Sequence, residues 1–261
     1  MFDTHLYHVS LGEKENGYRK YFHYLSESLE FAEHGQIYLL VQIDDYFHAD
    51  ILAKEMFDAF KSTYYQDLDQ EPLVSLEDSL KELNHLIESK IQNDRIAISA
   101  VAAAVDGEKM YVSSVGQAEL YLYRDQQLLP VLENIEVPES FGYVSSGFLE
   151  DTDTVFFATK PLLDVISFEN FSRIFATPSP MVQKLHTFKE VVQPAEDSSM
   201  DMLVLECFID DYDDSVMSEY FQKGKEWFSR FTEASGSIEI PDHHKEKAAN
   251  MASEIGSGVT K

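Results

Sequence analysis

Residues 100–131 read AVAAAVDGEKMYVSSVGQAELYLYRDQQLLPV. Two runs of small and β-branched residues meet at Asp106-Gly107, a dipeptide that favours a tight hairpin. A third strand, AELYLYRD, follows, and after a turn QLLPVLE continues. Working outward, residues 5–11 and 18–25 read as aromatic-rich strands joined by the turn GEKEN. Residues 36–43 (QIYLLVQI) are nearly all apolar, which predicts a central strand. From Ala49 the period becomes helical: Ile51, Leu52, Met56, Ala59 and Phe60 predict a helix to about Tyr64. A second helix is expected from Ser75, with Ser75 and Asp78 placed as a capping box and Leu76, Leu80, Leu83 and Ile87 on one face. Downstream, TVFFAT (154–159) reads as a buried strand, PLLDVIS and SFENFSRIF as short helices, and MDMLVLECFI as the last strand. Strands, two helices, strands, short helices and a strand, in that order, predict an α+β fold. The expected architecture is a four-layer α-β-β-α sandwich, two stacked antiparallel sheets flanked by helix pairs.

Composition narrows the class of partner. The 261 residues carry 47 acids against 20 bases, a formal charge of −27, so nucleic acid and anionic membranes repel this chain. Basic protein partners or divalent cations are electrostatically easier. Cys207 is the single cysteine, which precludes an internal disulfide and fits a reducing, cytoplasmic setting. The N-terminus lacks the basic-then-apolar pattern of a signal peptide, and no apolar run approaches the roughly 18 residues of a membrane span. Residues 1–211 are expected to form the domain. Residues 212–234 predict an amphipathic helix with Val216, Tyr220, Trp227 and Phe231 on one side, and 235–261 read as a flexible tail or linker of a longer protein.

Three strings resemble one family. The stretch at 100–131 is similar to the strand, hairpin and V-A-N-V-G-D-S-R-A-Y-L-Y-R run of the metal-dependent protein phosphatases of the PPM (type 2C) family, with Val115-Gly116 and Leu120 to Arg124 matching. FLEDTDTVFFATKPLLDVIS resembles the family's G-D-x-L-L-L-A-T-D-G-L-x-D-V-I-S, and MDMLVLECF its D-N-I-T-V-V-V-V. The resemblance covers residues 5–210 and implies the α-β-β-α fold, two Mg²⁺ or Mn²⁺ ions bridging a water, and phosphoester hydrolysis. Such hard cations need several anionic oxygens.

Position by position, the resemblance implies a site that has lost its metals. VQIDDYFH (41–48) corresponds to V-A-D-G-M-G-G-H, which places Ile43 at the bridging aspartate, Asp44 at the following glycine, and Tyr46 and Phe47 where glycines make room. Asp44 regains the ligand role only if the strand slips by one residue, which would reverse its faces. Arg19 takes the place of the phosphate-contacting arginine, while the neighbouring acids have become Phe22, His23 and Tyr24. The aspartate of VGDSR is Gln117, followed by Ala118 and Glu119, and the aspartate of A-T-D-G is Lys160. Only Asp201 keeps its acid, followed by Met202. Lys160 is expected to pair with Asp201 or Asp44 in place of a cation.

Other candidates carry less. Glu150, Asp151 and Asp153 resemble a calcium-loop fragment without its glycine and distal glutamate, and read as a solvated turn. Cys207 reads as a buried inert thiol, and His5 and His8 have no metal spacing. Three readings follow: a non-catalytic PPM-like pseudophosphatase acting as a protein-binding, regulatory module with no cofactor; a divergent Mg²⁺- or Mn²⁺-dependent serine/threonine phosphatase with a rebuilt site; or a structural cytosolic module of a larger protein.

Overall fold

The computed structural model describes residues 2–12, 17–25, 34–91, 96–132, 137–192 and 200–209. The expectations for 212–234 and 235–261 lie outside the described residues.

Ten strands and five helices are described: β1 (Phe2–Leu11), β2 (Gly17–Tyr24), β3 (Gln36–Asp44), α1 (Ala49–Tyr64), α2 (Pro72–Ile91), β4 (Ala97–Asp106), β5 (Lys109–Val115), β6 (Glu119–Arg124), β7 (Gln127–Pro130), β8 (Ser145–Phe148), β9 (Thr154–Ala158), α3 (Leu162–Val165), α4 (Phe168–Phe175), α5 (Met181–Val192) and β10 (Met200–Ile209). One sheet runs β1-β10-β9-β6-β7 and the other β2-β3-β4-β5-β8. Every pairing is antiparallel, as the order of elements predicted.

Side-chain alternation along the strands sorts the core into three layers. Tyr38, Leu40, Val101, Ala103, Phe157, Leu203 and Leu205 fill the space between the sheets. Ile37, Leu39, Val41 and Ile43 turn the other way and meet Leu52, Met56, Phe60, Leu76, Leu83 and Ile87 of α1 and α2. Phe156, Val204 and Met202 meet Phe171, Phe175, Leu185 and Phe188 of α4 and α5. The four-layer α-β-β-α sandwich is thus as expected. Among the described residues no helix is long and apolar enough to cross a membrane.

Several local expectations differ. The hairpin loop is Gly107-Glu108, closed by Asp106 pairing with Lys109, and Gly107 has φ 56. A glycine first in a two-residue loop is the pattern of a type II′ turn. α2 starts at Pro72, whose missing N–H costs nothing in the first turn. Ser75 therefore lies inside the helix and bonds His34 Nε2 at 3.1 Å, while Asp78 accepts from Gln70 and Lys81.

The turn of acids before β9 is a built network rather than a solvated loop. Asp153 is 1% exposed. It accepts Arg124 Nε at 2.8 Å, a second guanidinium nitrogen and the Glu150 N–H at 2.7 Å. Glu150 takes Arg124 Nη1 at 2.7 Å. With these oxygens occupied, the segment is a lock between β6 and β9. Cys207 N–H closes it by bonding the Asp153 carbonyl at 2.9 Å. The Cys207 thiol is buried, and burial with the nearby Asp153 and Glu206 charges pushes its pKa up, which disfavours the reactive thiolate.

Candidate functional site

Asp201 stands second in β10. Its neighbours Met200 and Met202 pack toward the helices, so Asp201 faces the space between the sheets, where it is 2% exposed. β1 pairs Ser10 with Asp201 and His8 with Leu203, which puts both polar side chains on that same face. Ser10 Oγ donates to Asp201 Oδ1 at 2.7 Å, and His8 Nε2 lies 2.8 Å from Oδ2. Facing an ionised carboxylate, Nε2 is the proton-bearing nitrogen.

Arg19 reaches across from the second sheet. Its Nε lies 3.5 Å from Asp201 Oδ1, and its two terminal nitrogens donate to the Leu11 and Gly12 carbonyls at 2.8 Å each. Behind the carboxylate, the Asp201 N–H donates to Thr159 Oγ1 at 3.1 Å, and Thr159 N–H returns to the Asp201 carbonyl. Burial works against ionising Asp201. The His8 and Ser10 hydrogen bonds and the Arg19 charge more than offset it, and the carboxyl sits below its usual range.

The end of β3 corrects the expected alignment. Ile43 does not face this space. It is buried on the helix side among the α1 and α2 residues, so it marks no vacated ligand position. Gln42 and Asp44 take the inter-sheet face, with Gln42 Nε2 donating to Asp44 Oδ2 at 2.9 Å. Gln42 Oε1 is buried with no hydrogen-bond partner among the described residues. Asp45 follows in the left-handed region at φ 59, a conformation glycine adopts more readily. The slipped register, with Asp44 at the aspartate and Asp45 at the glycine, is therefore the one that fits the strand's faces.

The crowding expected of Tyr46 and Phe47 is absent as well. Tyr46 packs against the helix-side core and Phe47 is 92% exposed.

Of the remaining positions, Gln117 is exposed in the β5–β6 turn, and its N–H donates to Ser99 Oγ at 3.1 Å. Lys160 is half-buried beside Thr159, and Asp201 is held by His8, Ser10 and Arg19 instead of by Lys160. Phe22 and Tyr24 join the helix-side core, and His23 stacks on Tyr38. Sequence reasoning missed His8, Ser10 and Thr159. The legible signal was His8 and Ser10 at i, i+2 on one strand; their partner lies across a first-to-last strand pairing that no local pattern reveals.

These residues do not suit two divalent cations. Asp201 already accepts from a histidine and a serine with a guanidinium alongside, so a cation there would compete with two hydrogen bonds and face a neighbouring positive charge. Among the described residues no group of three or more His, Cys, Asp or Glu side chains is arranged to hold a metal ion.

No protein-family model matches the chain, and no curated protein matches it. Solved structures do. The catalytic domain of the serine/threonine protein phosphatase PstP, solved with two manganese ions, superposes with a TM-score of 0.55 at 14% identity, covering 80% of this chain and 99% of that one. The PPM Ser-Thr phosphatase MsPP from Mycobacterium smegmatis, solved with cacodylate, gives 0.53 at 12% identity, covering 79% and 97%. The phosphatase domain of SpoIIE from Bacillus subtilis gives 0.51 at 12% identity, covering 82% and 96%. The chain therefore carries the fold of PPM-type phosphatase domains, at identities that speak for the fold alone.

Proposed function

We propose that this chain is a non-catalytic PPM-like domain, a pseudophosphatase that acts by binding protein in a regulatory role. The observation that carries the reading is the occupation of Asp201 by His8, Ser10 and Arg19. In the family the resemblance points to, this acid works on cations. Here the chain supplies its own positive charge and donors, which supports a domain that needs no cofactor. A carboxylate so engaged offers less to a cation that would lower the pKa of a bound water.

The acidic surface makes a protein partner easier than nucleic acid, and the cysteine usage fits the cytoplasm. The test is turnover of aryl phosphates and phosphoserine or phosphothreonine peptides by the full chain with added Mn²⁺ or Mg²⁺. No metal-dependent turnover is expected.

A second reading has one observation in its favour. Asp44 on the inter-sheet face, followed by Asp45 in a glycine-like conformation, is the arrangement a rebuilt metal site would use. Metal-dependent turnover abolished by both Asp44→Asn and Asp201→Asn would establish that divergent phosphatase and overturn the first reading.

A further inference from the structure

The Asp201 end of the sandwich carries apolar side chains on both sides of the site. Asp44, the last residue of β3, pairs with Gly17, two residues from Arg19; Ala158, the last residue of β9, pairs with Met202, next to Asp201. Arg19 and Asp201 are in contact, so the β3–α1 loop and the segment after β9 leave the same end. From the first rise Phe47, 92% exposed, and Ile51, 51% exposed one helical turn later. From the second rise Leu163 at 46% and Phe168 at 50%. Single exposed apolar residues are ordinary on a protein surface. Here four leave one end of the sandwich, two on each side of a closed polar site, where an occupant that spans the site would cover all of them.

The charges around the patch define that occupant. Asp45, Asp50, Asp164 and Glu169 are exposed among the four apolar side chains. Asp50 is close enough to Tyr18 that, after burial, its charge helps to raise the phenol pKa. Among the described residues the cations nearby are Arg19, held by two carbonyls and Asp201, the half-buried Lys160, and Lys54 a turn further along α1. An apolar patch ringed by carboxylates attracts lysine and arginine on aliphatic sequence and repels phosphate.

We propose that this end is a docking surface for an unphosphorylated segment of a partner protein that carries Lys or Arg among aliphatic residues. The proposal rests on the reading of the chain as a binding module and names the chemistry of what it binds. It reverses the electrostatics of a phosphopeptide site. The apolar anchors supply contact area, and the acidic rim sets orientation and association rate.

The test uses the full chain against a displayed library of random 16-residue peptides. Selected peptides are resynthesised with and without a phosphoserine. Basic, aliphatic winners are expected, and Phe47→Asp and Leu163→Asp should each weaken them at least tenfold. Val191→Asp, at an exposed apolar residue on α5, should leave affinity unchanged, and circular dichroism should show all three variants folded. Phosphorylation and added salt should both weaken binding. Winners indifferent to Phe47 and Leu163, or tighter when phosphorylated, overturn the proposal. So does slow hydrogen exchange over residues 45–51 in the free chain, which would mean that a second copy or the chain's own 212–234 segment already covers the patch. Turnover of the phosphorylated peptides would sink the non-catalytic reading alone.

Discussion

Each end of the sandwich buries an aspartate beside an arginine, and the two are satisfied differently. At the far end Arg124 closes β6 and Asp153 immediately precedes β9, its neighbour in the same sheet. Two guanidinium nitrogens grip the carboxylate while a third bonds Glu150. At the site end Arg19 comes from the opposite sheet, approaches Asp201 only to 3.5 Å, and spends its terminal nitrogens on the Leu11 and Gly12 carbonyls at the end of β1. The short contacts to Asp201 come from His8 and Ser10. The far end is a fork that a single arginine completes. The site end distributes the same task over three side chains and both sheets.

That difference predicts unequal costs. Arg124→Ala strands Asp153 at 1% exposure, and losing one partner of a buried pair costs about 3–5 kcal/mol. Arg19→Ala leaves Asp201 with His8 and Ser10, and the loss should be about 2 kcal/mol. Urea unfolding at pH 7 measures both. Equal costs would mean that Arg19 alone neutralises Asp201.

The next effect is on pH dependence. Asp201 titrates below its usual range when folded, so the stability it provides is complete above the unfolded carboxyl pKa, and is lost as pH falls through the folded one. The wild-type chain should therefore lose its advantage over Asp201→Asn below about pH 4, the ordinary carboxyl range. A constant difference between the two from pH 7 to pH 3 would show that Asp201 titrates normally.

The smallest effect concerns Glu206, on the same strand toward the far end. Burial raises its pKa despite the Tyr7 hydrogen bond at 3.1 Å and the Lys184 charge. A raised carboxyl pKa means a stability contribution present at low pH and lost as pH rises through the folded value. Glu206→Gln should thus be at least as stable as wild type at pH 7, the opposite of Asp201→Asn. Thermal melts of the two variants side by side check the sign.

The sandwich was legible because its strands announce themselves by period. Gly116 also held a recognisable place: it has φ 70, and a Cβ there would run into the Ile98 carbonyl. The site was legible only in part. Asp201 and Arg19 were named from the sequence and do meet. Ile43 was misplaced because an ungapped alignment is blind to strand faces, and one residue of slip exchanges the core for the site. Asp153 was taken for a solvated acid because its partner Arg124 lies 29 residues away in sequence. His8 escaped for the same reason, lying 193 residues away from Asp201 in sequence. Local pattern fixes elements, whereas pairing across the chain decides which polar residues meet.

The central claim is that Asp201 is neutralised by the chain's own side chains. Titrating Mn²⁺ into the full chain, with calorimetry and the free-ion electron paramagnetic resonance signal followed together, tests it most directly. The account predicts no saturable site up to millimolar Mn²⁺, and the same result for wild type and Asp201→Asn. Two saturable sites in the wild type that disappear in Asp201→Asn would contradict it.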